Sequence, residues 1–384
     1  MDFDLTDEQR MLADSIGRLV TDSYGDFEQR KAYRADPRGW SPANWSGYAE
    51  MGLLGLPFAE EDGGFGGGPV ETMLVFEAFG RGLVVEPYLA TVVLGGGLLK
   101  RAGTAAQRAT LIPEIAGGGL TLAFAHQERQ ARHDLHDVAT TARPDGTGWR
   151  LDGAKGVVLH GDTAGRLIVS ARTAGARRDR EGISLFLLDP ATHGVTRRGY
   201  ATQDGLRAAE VVLDGVLLPA DALLGPEGGA LPLIEWVVDE AQAAICAEAL
   251  GAMEVLRDLT VDYLKQRTQF GQAIGNFQAL QHRAADMLVA TEQARSMAMY
   301  AAMMVQESDA SARRVALSAA KALVARLADQ LGKDAVQLHG GIAMTEEYKA
   351  GHYFKRLAIL AGLFGDMDHH LRVVVAAGGL PEAA

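Results

Sequence analysis

Arginine, glutamine and glycine recur in two short segments of this chain in a pattern suited to holding phosphate. The first segment, Arg267-Thr268-Gln269-Phe270-Gly271, precedes Gln278, and the second, Gln337-Leu338-His339-Gly340-Gly341, begins seventy residues after Arg267. An arginine offers a planar fork of donors to phosphate oxygens, and glutamines hydrogen-bond without adding charge. Paired glycines remove the side chains that would keep the backbone away from a ligand. Together these segments suit a ligand that carries phosphate.

Each of these residues also has a purely structural interpretation. Arg267 could be a solvated cation at a helix end, Phe270 a core aromatic, and Gly340-Gly341 the end of a helix with its turn. A generic helical bundle, however, needs no Arg-x-x-Phe-Gly turn and Gln-x-x-Gly-Gly turn at this separation. The combination therefore favours ligand binding.

The elements that must position these residues follow an α, β, α order. Apolar residues recur at helical spacing from Leu5 to Val20, where Thr6 or Asp7 can cap the helix, and in later runs up to about Gly117. Long helical patterns return after Gly229 and span Leu231 to Tyr263, Phe277 to Glu307, and Ala312 to Leu338. Between them, short β-type runs separated by turn residues occupy Leu120 to Ala125, Trp149 to Leu151, Leu167 to Ala171, Ile183 to Leu188, and Glu210 to Leu213. We predict an α+β fold with helical residues 1–118, a β-barrel-like domain over 119–230 and a C-terminal four-helix bundle over 231–384.

Composition excludes several classes of protein. A formal net charge of −12, without any basic run, disfavours nucleic acid as a partner. Cys246 is the only cysteine, which excludes an internal disulfide framework and a cysteine-based zinc site and fits a reducing compartment. The acidic start MDFDLTDEQR does not resemble a secretory signal, and no apolar stretch reaches about 18 residues. We therefore expect a cytoplasmic protein that does not enter a membrane.

A histidine-rich segment requires separate consideration as a metal site. His126, His133 and His136 alternate with Asp134 and Asp137. No pattern of supporting ligands accompanies them, and we therefore predict no metal site.

The order of elements and four local motifs resemble the acyl-CoA dehydrogenase family over nearly the whole chain. The most specific motif is the segment from Arg267 to Met287 together with Gln337 to Gly341. The others are Asp4 to Arg10, Met51 to Leu56 running into the glycine-rich loop, and Gly205 to Gly225. The resemblance implies an acyl-CoA dehydrogenase-like fold and an FAD-dependent α,β-desaturation of an acyl-CoA thioester, with electrons passed to an electron-transfer flavoprotein.

The same resemblance implies where the cofactor binds. In the family these groups reach the FAD of a neighbouring subunit, so a homo- or hetero-tetramer is implied. The implied cofactor-binding residues, called the clamp residues below, are Arg267, Gln269, Phe270, Gln278, Gln337, Gly340 and Gly341.

Two loops that cradle the flavin in the family are altered here. The first flavin loop, 127–134, keeps Glu128 and Asp134 but lacks the hydroxyls and the glycine of the family pattern. The second flavin loop, 157–160, follows Lys155 and has Leu159 where the family has a threonine. One hydrogen bond to the flavin must therefore be lost or supplied by another group.

The glutamate that acts as the catalytic base in the family is also missing from its usual positions. The reaction needs a carboxylate, ideally in an apolar pocket, to take the α-proton of the thioester. At the two positions that carry this glutamate in the family, the chain has Phe364 and Ala241. Glu240, beside Ala241, is the leading candidate for the base, although it could equally be a solvated helix carboxylate. Asp366 is the second candidate, and the resemblance places it near the threonine that contacts FAD in the family. Gln242 replaces an arginine that contacts CoA, which puts that contact in doubt.

These departures resemble a bacterial, small-subunit-like subgroup whose members work as pairs of unlike chains, often on dicarboxylic or sterol-derived acyl-CoAs. The segments Tyr353 to Arg356 and Phe364 to Asp366 carry this likeness. Three hypotheses stay open. The chain is an active dehydrogenase, or a subunit that completes a partner's FAD site, or a related flavin enzyme acting on carrier-bound acyl groups.

Overall fold

The computed structural model of the chain describes residues 5–379, so Asp4 of the opening motif lies outside the described part. Within that part the chain is helical up to Ala116, forms strands between Leu122 and Leu224, and is helical again from Leu231. No helix in this range is long and apolar enough to cross a membrane. The order of elements confirms the predicted α+β fold.

The helices begin and end close to the predicted positions. The first is capped as predicted, because the Thr6 hydroxyl accepts a hydrogen bond from the Gln9 amide at 3.2 Å while the Gln9 side chain accepts one from the Thr6 amide at 3.0 Å. A π-helical segment, Leu89–Gly95, leads directly into the fifth helix. The helices are α1 Asp7–Tyr24, α2 Phe27–Ala35, α3 Pro42–Glu50, α4 Pro69–Gly82, α5 Gly96–Ala102, α6 Ala105–Ala116, α7 Leu231–Gln266, α8 Gln278–Met304, α9 Ala310–His339, α10 Ala350–Gly362 and α11 Met367–Ala376.

Eight strands form one mixed sheet in the order β6-β7-β3-β2-β4-β5-β8, with β1 pairing in parallel with β4. They are β1 Leu122–Ala125, β2 Thr141–Asp145, β3 Gly148–Leu159, β4 Arg166–Arg172, β5 Ile183–Leu188, β6 Val195–Ala201, β7 Arg207–Pro219 and β8 Leu223–Leu224. β5 coincides with its predicted run. β2 and β6 were not predicted, because their arginine, proline and glycine residues hide the alternation of a half-buried strand.

The described chain divides into two compact units. The first contains residues 5–32, 68–84 and 242–379, and the second contains Tyr33–Gly67 and Val85–Ala241. In the second unit, inward-facing residues of the strands form the core, and Trp149 packs edge-on against Phe186 with ring centroids 5.3 Å apart. The register between β3 and β7 shifts between Lys155 and Val158, so Gly156 and Val157 form a bulge.

Small residues let the helices of the first unit pack closely. A Cβ atom on Gly80 would lie 2.0 Å from the Glu248 carbonyl oxygen, and one on Gly251 would lie 1.9 Å from that of Glu77. α4 and α7 can therefore cross at this distance only with glycine at both positions. Ala301 and Ala320 are completely buried where α8 and α9 meet.

Candidate functional site

The structure brings the clamp residues to one end of the first unit. The Tyr263 and His339 rings lie 4.7 Å apart, which places the end of α7 beside the end of α9. Arg283 lies 3.7 Å from Asp334, which places the first turns of α8 beside the last turns of α9. The hairpin formed by β9 Thr268–Gln269 and β10 Gln272–Ala273 joins α7 to α8 at this end. Residues seventy positions apart in the sequence therefore become neighbours.

The polar side chains of the clamp are exposed and available. Among residues 5–379, the side chains of Arg267, Gln278 and Gln337 have no hydrogen-bond or ion-pair partner. Gln269 donates from its amide to the Thr268 carbonyl oxygen at 2.8 Å, which holds its side chain close to the hairpin. Donors that face solvent without a protein partner are suited to an anionic ligand.

The apolar and backbone parts of the clamp are also open. Phe270, at the tip of the hairpin, is 89% exposed and has a φ of 53°, which bulky residues rarely adopt. Gly340 ends α9 with a φ of 68°, and no atom lies within 4 Å of where a Cβ on Gly340 or Gly341 would stand. The hairpin tip and the end of α9 therefore present an apolar side chain and open backbone to solvent.

In the second unit, a buried ion pair organises the first flavin loop. Lys155 donates to Glu128 at 2.6 Å, and their side chains are 0% and 3% exposed. Glu128 also accepts from the backbone amides of Ala139 at 2.8 Å and Thr140 at 3.0 Å. The Glu128 carboxylate is therefore used to shape the loop. Lys155 is a functional candidate that sequence reasoning passed over, although a lysine within an alternating strand pattern was a usable signal.

His126 belongs to the same buried group and not to a surface metal cluster. Its Nδ1 lies 2.8 Å from the Ser170 hydroxyl, and Ser170 also accepts from Lys155 at 3.1 Å. Burial and the nearby Lys155 lower the pKa of His126 to about 3, so it is neutral at physiological pH. Residues 5–379 contain no group of three or more histidine, cysteine or acidic side chains that could hold a metal ion.

The charges of this group are set by burial and mutual attraction. Burial alone would raise the pKa of Glu128, but Lys155 and the hydrogen bonds from Gln130 and Thr140 together outweigh burial and lower that pKa to about 2. Burial lowers the pKa of Lys155 to about 8 even with Glu128 beside it. Both partners are therefore ionised near neutral pH.

Glu240 is held by an arginine. Arg101 donates to its two carboxylate oxygens at 2.6 and 3.0 Å, and the Arg101 guanidinium also lies 5.2 Å from the centre of the Trp236 ring. Both carboxylate oxygens are therefore occupied by charge-assisted hydrogen bonds. Its neighbour Ala241 is completely buried. This geometry disfavours Glu240 as the base.

Asp366 lies in the turn between α10 and α11. Its carboxylate caps α11 by accepting from the His369 amide at 2.8 Å. The turn is tight, because Phe364 has a φ of 59° and Gly365 a φ of 122°. Phe364, at the family's usual base position, brings no ionisable group.

A second buried lysine, missed by sequence reasoning, supports this turn. Lys321 is 2% exposed and donates to the carbonyl oxygens of Leu360 and Ala361 at 2.9 Å and of Gly365 at 3.3 Å. Its position among apolar residues on the inner face of α9 was the available signal. Burial lowers the pKa of Lys321 to about 8.

Family models match nearly the whole chain. The acyl-CoA dehydrogenase N-terminal domain matches residues 6–119, the middle domain residues 123–216, and the C-terminal domain residues 231–378.

Individual relatives and a solved structure agree with these matches. The probable acyl-CoA dehydrogenase YngJ of Bacillus subtilis (strain 168) is 30% identical over 358 residues, covering 91% of this chain and 92% of that protein. The L-prolyl-[peptidyl-carrier protein] dehydrogenase of Serratia sp. (strain ATCC 39006) is 28% identical over 357 residues, covering 90% of each chain. The solved structure of a variant of the Tcur3481-Tcur3483 steroid ACAD is 28% identical with a TM-score of 0.86, covering 97% of this chain and 98% of that one.

Proposed function

This chain belongs to the acyl-CoA dehydrogenase family, a family of FAD-dependent oxidoreductases, and we propose that it takes part in the α,β-desaturation of an acyl-CoA thioester in the cytoplasm. The observation that carries the proposal is the cluster of exposed, unpartnered donors Arg267, Gln278 and Gln337 beside the open backbone of Gly340. These groups suit a large anionic cofactor better than any apolar or cationic ligand.

The clamp residues fit FAD in charge and in shape. Arg267 is suited to the pyrophosphate, and Gln278 and Gln337 to the hydroxyls of the cofactor's sugar and ribityl parts. Gly340 and Gly341 leave room for a ligand to approach the backbone, and Phe270 offers an apolar face. FAD, when bound, supplies the acceptor for the hydride removed from the substrate's β-carbon. As in the family, we propose that the clamp residues serve the FAD of a neighbouring subunit in a tetramer.

In this proposal, Asp366 is the base that removes the α-proton. Glu240 is committed to Arg101, whereas Asp366 caps α11 at the His369 amide, and we propose that the Asp366 carboxylate takes the proton. Phe364 occupies the position that corresponds to the family's base. Asp366 lies two residues after it, in the α10–α11 turn. We propose that electrons then pass to an electron-transfer flavoprotein.

A second candidate function is that of a subunit completing the FAD site of an unlike chain, without a base of its own. The Arg101–Glu240 pair and the apolar Phe364 favour it, because neither of the family's base positions offers a carboxylate poised for proton transfer. The small-subunit-like segments point the same way, as does the similarity to a steroid ACAD whose name joins two chains, Tcur3481 and Tcur3483.

The proposal is tested with two preparations of the protein, one purified alone and one purified together with a homologous chain encoded beside it. We expect a yellow protein that bleaches when an acyl-CoA is added without oxygen, and electron-transfer flavoprotein should then accept the electrons. Protein that carries no flavin in either preparation contradicts the proposal. Flavin only in the joint preparation, with turnover unchanged by Asp366→Asn, supports the second candidate. If the protein acts on acyl groups bound to a carrier protein but not on acyl-CoA, its substrate is carrier-bound, like the substrate named for the Serratia relative.

A further inference from the structure

Backbone strain in this chain is concentrated in the segments that sequence reasoning assigned to the flavin site. Among residues 5–379, six residues other than glycine have a positive φ: Leu83, Arg132, Val157, His160, Phe270 and Phe364. Arg132 lies in the first flavin loop, Val157 and His160 in the second, Phe270 in the clamp, and Phe364 in the α10–α11 turn. Such conformations are unfavourable for residues that carry a side chain and persist only where the surroundings impose them. Five of the six therefore mark segments that something must hold in place.

The second unit holds its strained loops with Lys155. The Lys155 ammonium donates to the His126 carbonyl oxygen at 3.3 Å, to Glu128 at 2.6 Å and to Ser170 at 3.1 Å. Gly156, the residue after Lys155, adds a further contact, because its amide donates to the Gln127 carbonyl oxygen at 2.8 Å. Directly beyond, Val157 has a φ of 50° although it is β-branched, and its side chain is 40% exposed. Lys155 thus ties the start of the first flavin loop to the start of the second.

The first unit holds its strained turn with Lys321. All three acceptors of Lys321 are backbone carbonyl oxygens, two at the end of α10 and one within the α10–α11 turn. An ammonium has three donors, so its hydrogen-bonding capacity is filled. A cation at this place also offsets the negative end of the α10 dipole. Lys321 therefore fixes the backbone on both sides of Phe364.

Lys155 and Lys321 are the lysines with the least exposure in the described chain, at 1% and 2%. Burying a lysine is costly, and a neutral side chain of similar length would pack at both positions with less penalty. A requirement for three directed donors explains why a lysine is present at each.

We propose that Lys155 and Lys321 are positioning residues for FAD: Lys155 holds the two flavin loops, and Lys321 holds the α10–α11 turn, in the strained geometry that each needs to receive the cofactor. The inference rests on the proposed function, since it assumes a flavin at these segments. Neither lysine touches the reacting atoms in this assignment. Each acts through the backbone that it holds.

The test compares FAD affinity with protein stability in the oligomer that the wild-type chain forms. Lys155→Met and Lys321→Met remove the donors while keeping side-chain length. Arg150→Met on β3 and Lys333→Met on α9 are matched controls, because those side chains are 52% and 61% exposed. We expect the dissociation constant of FAD, measured on apoprotein by fluorescence, to rise about tenfold or more in the two lysine variants and less than about twofold in the controls. The visible spectrum of bound flavin should shift in the lysine variants only.

Two further variants separate positioning from folding. Lys155→Met combined with Glu128→Gln leaves no unpaired buried charge, so the melting temperature should recover toward that of the wild type while FAD affinity stays low. Lys321→Gln keeps a donor near the turn and should give an intermediate affinity. The Gly156 amide donates to Gln127 and the Leu363 amide to Ile359. Faster hydrogen exchange at these two amides in the apoprotein of the methionine variants would show that the segments open without their lysine.

Two outcomes overturn the inference in distinguishable ways. If wild-type protein binds FAD and both methionine variants keep its affinity and spectrum while only their melting temperature falls, the lysines are structural and the proposed function stands. If the wild-type oligomer binds no FAD at all, the proposed function fails, and this inference fails with it.

Discussion

Arg101 donates a hydrogen bond to each carboxylate oxygen of Glu240, at 2.6 and 3.0 Å, and its guanidinium also lies near the Trp236 ring. Lys100 adds a second cation 3.9 Å from the same carboxylate. The Glu240 carboxylate therefore has two cationic neighbours. Glu240, which sequence reasoning favoured as the base, is therefore an ion-pair partner of Arg101. The effect of this ion pair on turnover and on stability can be measured.

Glu240→Gln is expected to leave turnover within about twofold of the wild type and to lower the free energy of unfolding by about 1–2 kcal/mol, since the pair is only partly buried. Steady-state kinetics and urea unfolding measure the two effects. Glu235→Gln, which breaks the more exposed ion pair with Arg180, is the matched control. A loss of turnover of more than about a hundredfold in Glu240→Gln alone would restore Glu240 as the base.

Asp366→Asn separates the two roles of this aspartate. Asparagine caps a helix about as well as aspartate, so stability should change by less than about 0.5 kcal/mol, whereas Asp366→Ala should cost about 1 kcal/mol. If Asp366 is the base, both variants should lose turnover by roughly a thousandfold, because neither can take the proton. Single-turnover reduction of the flavin is the measurement. Equal, near-wild-type rates in both variants would remove Asp366 as the base.

Arg267→Met should weaken FAD binding by about tenfold to a hundredfold, the size of a charge-assisted hydrogen bond to phosphate. Lys265→Met, at the end of α7 and 69% exposed, is the matched control for charge. Flavin content per subunit and FAD titration of apoprotein report the result. Because the side chain of Arg267 has no protein partner among residues 5–379, its replacement should not change the melting temperature of the apoprotein. Equal flavin content in both variants would count against the clamp.

Stability should fall as the pH decreases below about 6.5, because of the buried group around Lys155. Burial and Lys155 lower the pKa of His126 from 6.5 to about 3, and the pKa of Glu128, which burial alone would raise, is lowered by Lys155 from 4.5 to about 2. Between these values the unfolded chain binds more protons than the folded chain, so acid favours unfolding. Urea unfolding between pH 7 and pH 4 measures the slope. His126→Asn should make the slope shallower from pH 6.5 downward, and an unchanged slope would contradict the assignment.

Much of the fold and part of the site followed from local patterns. The period of the apolar residues predicted α7, α8, α9 and β5 within a few residues, because a long amphipathic pattern has few alternative structures. The cap of α1 at Thr6 was also predicted, since capping depends only on residues within one turn. Arg267, Gln278, Gln337, Gly340 and Gly341 were predicted from their types and separation, whereas Gln269 and Phe270 were implied by the family resemblance. The binding role of all these clamp residues stays a prediction. The sequence alone could not show that the Tyr263–His339 contact brings them together.

Only the tertiary structure decided the state of the charged groups. Glu240 looks the same in the sequence whether it faces solvent, a substrate or Arg101, because its partner lies 139 residues away. The apolar surroundings of Lys155 and Lys321 in the sequence set them apart, but nothing local shows that one holds two loops together and the other holds a turn. Their acceptors come from distant segments, and all three acceptors of Lys321 are backbone carbonyls that any residue could supply. Residue types and spacing therefore determined the family and predicted the binding chemistry, whereas folding determined which charges are paired, because electrostatic interaction depends on distance and burial in space.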